Sequence, residues 1–266
     1  MLTLIDQFFE SIAVTMPEPA SYGAFHIIYT LSSFAICILA AWKLRKVNDK
    51  TARWITFSVG LVLSLSEVFK QFFYYFAMSE TNRYSWGDFP FQLCSVPLYL
   101  CLIAPWLKPG KLQRGMYSFM VLYNLLGGAI AFTEPSGLLH DRVFLTCHSL
   151  IWHSLLVFIG LFLCFSNRGG NEKADYKGAT GTFLALSLIA FLLNLFVQQV
   201  LGEHMNMFFV GPGESPIVVF KQFSQCFGWY VNTPIYLFAV SLGAYIIHCI
   251  IYFAQNKRLP FSKAAA

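Results

Sequence analysis

Charge is what this chain has least of. Asp, Glu, Lys and Arg make up 12% of its 266 residues, against about 25% in soluble proteins. So little charge cannot cover a globule of this size in water, which argues against a soluble fold. Basic residues are missing from the first 23 positions, where Asp6, Glu10 and Glu18 stand. Without a positive n-region, no cleavable signal peptide is expected. Seven Cys residues are present, an odd number, and no CxxC pair occurs among them. Cys37, Cys94, Cys101, Cys147, Cys164 and Cys249 lie in apolar stretches and only Cys226 lies in a loop, so no intrachain disulfide framework is expected. The chain also lacks a GxSxG elbow, an HExxH pair, a phosphate-binding glycine loop and an Asp-rich metal motif. Serine hydrolase, zinc peptidase and nucleotide-hydrolase chemistry in their familiar forms are thereby excluded, and no cofactor or metal is expected. No internal repeat and no low-complexity linker is visible.

What is present is apolar length. Seven stretches, 24–44, 54–78, 89–107, 113–133, 144–166, 179–201 and 232–255, each approach the ~20 residues that a helix needs to cross the hydrocarbon core. Basic residues sort between alternate loops. Lys43, Arg45, Lys46, Lys50 and Arg53, then Lys108, Lys111 and Arg114, then Arg168, Lys173 and Lys177, then Lys257, Arg258 and Lys263 fall on one side, 14 of the 18 in the chain. The other side holds Arg83, Arg142 and Lys221, and nine of the 13 acidic residues. The positive-inside rule then predicts an all-α polytopic membrane bundle of seven spans, with the N-terminus outside and the C-terminus cytoplasmic. Residues 1–23 read as an outer amphipathic segment, 24–255 as the seven-helix transmembrane domain and 256–266 as a cytoplasmic tail. Leu4, Ile5, Phe8, Phe9 and Ile12 recur at helical spacing within Leu2–Val14, which predicts a helix lying on the outer surface. Residues 217–230 give a second amphipathic piece, a surface or re-entrant helix over the outer mouth. The net charge of +5 belongs to topogenic loops and implies no nucleic-acid binding. Membrane lipids are the expected partners, and the sequence names no protein partner.

Polar residues inside spans are costly, so their positions carry information. Glu67 and Lys70, Gln92 and Cys94, Asn124, His148 and His153, and Asn194, Gln198 and Gln199 all fall in outer halves of spans, while the inner halves hold little beyond His248. This predicts either a polar cavity open to the outer leaflet or a set of interhelical hydrogen bonds. Glu67 and Lys70 are three residues apart, share a helix face and are expected to pair. Cys94 follows Asp88-Phe89-Pro90. With Asp88 as cap and Pro90 in the first turn, it sits about one turn into a helix, where the dipole favours an anion. Pro97 would then open that helix and free a carbonyl. His148 and His153 are five residues apart, about 140° around a helix, so they cannot both face one point. His153 lies within about 6 Å of Cys94 in depth. A packing thiol and a nucleophile with a histidine base are both consistent with these residues.

Several features together resemble a known family. They are the Glu67/Lys70 pair, the Pro-x-x-Leu-Cys segment (Pro90, Leu93, Cys94), and His153-Ser154-Leu155-Leu156. To these add the Asn-Met-Phe-Phe segment (Asn206–Phe209) and the aromatic entry Trp229-Tyr230. In order and spacing they resemble the YwaF-type bacterial membrane family and, more distantly, the eukaryotic transmembrane protein 164 family. The resemblance implies a fold shared with the androgen-induced gene 1 type lipid hydrolases, and a bacterial plasma-membrane location. It implies a cysteine-dependent acyltransferase or hydrolase acting on phospholipid acyl chains, with Cys94 as nucleophile and His153, or else His148, as base. Relatives often carry His two residues before the Cys, where this chain has Gln92. Gln92 is accordingly assigned to the oxyanion, and Glu67, Lys70, Asn124, Gln198 and Asn206 to substrate binding. The competing readings are a transporter or channel built on Glu67/Lys70 and span 6, and a non-catalytic scaffold.

Overall fold

The computed structural model describes residues 4–79, 83–257 and 259–260. Among these it is all-helical and without strands. Six helices are long and apolar enough to cross a membrane. They are α2 (Ala24–Leu44); α3 (Asp49–Phe73) with its continuation to Met78; α5 and α6 (Lys111–Phe119 and Leu125–Thr133), joined into one rod; α7 (Val143–Phe165); α8 (Lys173–Phe196), continued to Leu201; and α10 (Trp229–Asn256). Apolar length legislates these elements, and local chemistry sets their ends. Asn48 Oδ1 accepts the Thr51 N–H at 2.9 Å to start α3. Asp175 Oδ2 accepts from the Glu172 N–H at 2.8 Å to start α8. Gly202, at φ 67°, closes α8, and Gly228, at φ 79°, breaks the chain ahead of α10.

The predicted span 89–107 does not form a full-length helix. Only α4 (Val96–Ile103), extended by a 3₁₀ turn to Trp106, is helical there. Its 11 residues cover about 16 Å, roughly half of the ~30 Å hydrocarbon core. Residues 89–95 are irregular, held by hydrogen bonds to other parts of the chain. Asp88 does not cap a helix: its carbonyl accepts from Gln71 Nε2 at 2.7 Å. Pro97 falls in the first turn of α4 and opens nothing. α4 ends with Trp106 edge-on to Trp54, 5.3 Å between ring centroids, beside the start of α3.

The two ends of the bundle differ. At one end, Arg168 Nη1 lies 2.7 Å from Asp49 Oδ1, Arg114 bonds Asp175 and Asn171, and His248 Nδ1 bonds Gly170 O. These contacts gather the loops that carry the basic residues of one sequence class; Arg258 and Lys263 lie outside the described residues. At the other end, α1 (Leu4–Ile12) seats Phe9 between Phe69, Phe72 and Phe76, while Thr15 bridges to Arg142. Leu4, Ile5 and Phe8 remain exposed beside it, as expected of a helix at a membrane surface; Leu2 and Thr3 of the predicted segment lie outside the described residues. The second amphipathic piece forms α9 (Val218–Phe227), against α10.

Lipid tails are as apolar as the core, so close packing must hold the helices together. Small residues allow it. Gly60 of α3 lies against Cys101 and the Leu102 N–H of α4, and Gly115 of α5 against Gly178 of α8. Gly160 of α7 meets Leu125 and the Met120 carbonyl. Leu63, Phe119, Tyr123, Phe162 and Phe183 are wholly buried between them. Three of the long rods carry a π turn, at Tyr74–Met78, Met120–Asn124 and Val197–Leu201.

Candidate functional site

Cys94 stands in the turn that leads into α4, two residues before Val96. The turn is tight: the N–H groups of Ser95 and Val96 both donate to Gln92 O, at 2.8 and 3.2 Å. The thiol is thus placed at the head of a helix, as expected, but ahead of its first turn rather than inside it. It is half-buried, beside the Ser95 hydroxyl and within electrostatic reach of Lys70 and Glu67. From α7, Trp152 Nε1 donates to Cys94 O at 3.0 Å. An indole N–H in an apolar helix needs such an acceptor, and this one fixes the cysteine turn to the histidine-bearing helix.

The two histidines of α7 diverge. His148 stacks on Trp152 at 5.4 Å, and its Nε2 is buried without a hydrogen-bond partner. His153 turns toward Phe132 of α6. Its Nδ1 lies 2.8 Å from Ser149 O. A carbonyl only accepts, so Nδ1 carries the proton and Nε2 keeps the lone pair a base requires. Among the described residues neither histidine hydrogen-bonds Cys94.

Glu67 is buried at 4% exposure. Lys70 Nζ lies 2.9 Å from its Oε1, and Gln71 Nε2 donates to the same oxygen at 2.6 Å. The expected pair is therefore present, with a third member that the spacing did not bring forward.

Most of the amides expected near an outer cavity instead hold backbone. Gln92 Nε2 donates to Asn206 O at 3.0 Å and Gln92 Oε1 accepts from the Phe208 N–H at 2.9 Å. Asn194 bonds Met207 through both its N–H group and its oxygen, at 2.9 and 2.7 Å, and also bonds Val210 O. Gln198 bonds Met205 O and Pro212 O, and Asn206 Nδ2 bonds Glu214 O at 2.9 Å. Asn124 Nδ2 reaches Leu156 O at 3.2 Å, with its Oδ1 buried and unpartnered. Interhelical and loop bonding thus accounts for most of these groups, while Asn206 Oδ1, like Asn124 Oδ1, is buried without a partner.

What they hold is strained. Phe208 and Phe209 adopt φ of 54° and 55°, a left-handed conformation that costs a bulky residue about 1–3 kcal/mol. Phe208 is fully buried. The loop 205–214 is thus forced into place beside the Cys94 turn by Gln92, Asn194 and Gln198. Trp152 and Gln71 complete the site, and the sequence marked neither of them as such, whereas it brought Asn194 forward as a polar residue in an outer half-span. An indole in an apolar span, needing an acceptor, was the one signal available.

No curated protein and no solved structure matches the chain. A family model does, across residues 21–252, which takes in α2 to α9, all but the last four residues of α10 and every residue of the site. Of the two resemblances drawn from the sequence, this match bears out the second: the chain is an integral membrane protein that belongs to the TMEM164 family.

Proposed function

We propose that the chain is a membrane-embedded lipid-modifying enzyme, a cysteine-dependent acyltransferase or hydrolase acting on phospholipid acyl chains. The observation that carries this reading is the Trp152–Cys94 hydrogen bond. It ties a thiol at a helix head to the residue preceding His153, whose proton sits on Nδ1.

In this reading Cys94 Sγ gives its proton to His153 Nε2 and attacks the ester carbonyl carbon. The ester C–O bond breaks, the leaving oxygen takes the proton from His153, and the acyl group rests on Cys94 as a thioester. A lysolipid hydroxyl or water, deprotonated by His153, then attacks the thioester and restores the thiol. The amide of Gln92 is engaged with the loop at 206–208, so it positions the cysteine turn. Glu67, Lys70 and Gln71 set the charge at the entrance. The bundle crosses the membrane seven times, residues 89–106 making the third crossing partly as irregular chain against protein, with the N-terminus outside.

Mass spectrometry of membrane lipids and of the protein tests it. Wild type should carry an acyl group on Cys94 and remodel a phospholipid chain. Cys94→Ser should abolish both while the protein remains folded. His153→Ala should do nearly the same and His148→Ala less, while Cys37→Ser and Cys249→Ser stay active. A fully active Cys94→Ser variant excludes thiol-based acyl transfer.

A further inference from the structure

At the basic end, far along the bundle from Cys94, an open cavity of about 300 Å³ lies between the start of α3, the start of α5 and the loop from α7 to α8. Its walls carry three guanidinium groups, Arg53, Arg114 and Arg168, and one carboxylate, Asp49. Their charges are unequally satisfied. Arg114 is neutralised from behind by Asp175 at 2.6 Å and Glu172 at 3.0 Å. Arg168 Nη1 faces Asp49, but that carboxylate is 83% exposed, so water screens the pair. Arg168 Nη2 donates to Val47 O at 3.2 Å, while its Nε is buried without a partner. Arg53 has no hydrogen-bond or ion-pair partner among the described residues.

The floor adds to this. Gly110, the residue before α5, offers no side-chain cap, and the first turn of α5 holds no acid. Its leading N–H groups therefore lack acceptors beside Gly110 and Gln113 of the wall. An unpaired guanidinium, an orphaned guanidinium N–H and a helix start all call for an oxyanion. A group with three or more oxygens can meet them together, and internal pairing leaves Arg53 as the uncompensated charge. Lys50 and Lys111, in the first turns of α3 and α5, and Lys108, in the loop before α5, stand at the same end, where they attract an anion to the mouth.

We propose that this cavity binds a phosphate group, carried either by a phospholipid headgroup at the membrane surface or by free phosphate. The proposal does not rest on the acyl-transfer reading. The full chain, purified in detergent, is titrated with sodium phosphate while thermal unfolding is followed. In parallel it is mixed with phosphatidylglycerol micelles, and retained lipid is counted by native mass spectrometry. Binding is expected in at least one arm. Stabilisation by sodium phosphate identifies a soluble anion, and retention of phosphatidylglycerol alone identifies a headgroup. Arg53→Gln should weaken binding by roughly tenfold. Lys43→Gln, at the same end but outside the cavity wall, should change it by less than about twofold. If Arg53→Gln fails to fold, Pro109→Glu, which sets a carboxylate on the same wall, must abolish binding instead. No binding in either arm, or equal losses in Arg53→Gln and Lys43→Gln, overturns the proposal.

Discussion

Glu67 sits at a depth where an unpaired carboxylate has no stable place. Lys70 and Gln71 both donate to its Oε1, at 2.9 and 2.6 Å, and removing one donor leaves the charge half-satisfied. Lys70→Met should therefore lower stability by about 2 kcal/mol. The double change Glu67→Gln/Lys70→Met should restore most of it, because a neutral amide no longer needs the ammonium. The measurement is a double-mutant cycle of thermal stability in one detergent, and additive losses would show that the two residues do not interact. The pair was legible in the sequence because i,i+3 spacing fixes a shared face whatever the fold. The amides were not. Gln92 and Gln198 look alike as polar residues in apolar runs, and their roles depend on backbone that arrives more than 100 residues later or after a sharp turn.

At the scale of elements, the six long helices follow from apolar length; their ends fall within three residues of those expected, except that α3 and α8 start five and six residues earlier. α4 escaped the same reasoning. Composition makes 89–107 look like a span, but Pro90 and the contacts of Gln92 and Asp88 turn its first third into a strap. Hydropathy cannot register such a change, since the side chains are equally apolar in both forms. The π turns are invisible for a related reason: each inserts a residue into the helical register without altering composition. Packing between α3 and α4 yields a sharp test. A Cβ on Gly60 would lie 2.8 Å from Cys101 Cβ and 2.9 Å from the Leu102 nitrogen. Gly60→Ala should push the two helices apart and cost about 1–3 kcal/mol. Gly181→Ala meets nothing within 4 Å and should be neutral or stabilising by up to about 1 kcal/mol. Melting temperatures of the two variants, measured side by side, check the contact. Equal behaviour would mean that α3 and α4 do not approach as closely as described.

For the whole molecule, the gathering of basic loops at one end predicts its direction in the membrane. A cysteine placed at Ser136, exposed at the end opposite the basic loops, should react with an impermeant maleimide in intact cells. One placed at Lys108, exposed at the basic end, should react only after the cells are opened. The background must lack Cys147 and Cys226, which are themselves exposed. The reverse pattern would invert the molecule and bring the Cys94 turn to the opposite leaflet.

The strap from Gln92 to Asn206 and Phe208 also orders events in time. Gln92 is made 114 residues before Asn206, on the order of 10 s earlier at ordinary rates of synthesis. Until the second half emerges, the Gln92 amide and the Cys94 carbonyl lack their partners at Asn206, Phe208 and Trp152, and α4 is too short to span alone. The nascent chain must therefore keep this segment at the membrane surface or within the insertion machinery while α5 to α8 are laid down. The Cys94 turn is then among the last parts of the protein to take shape, although it lies in the first half of the chain. A half-made or truncated protein is left without an assembled Cys94 turn, so under the proposed chemistry no reactive cysteine is set loose in the bilayer before the fold around it is complete.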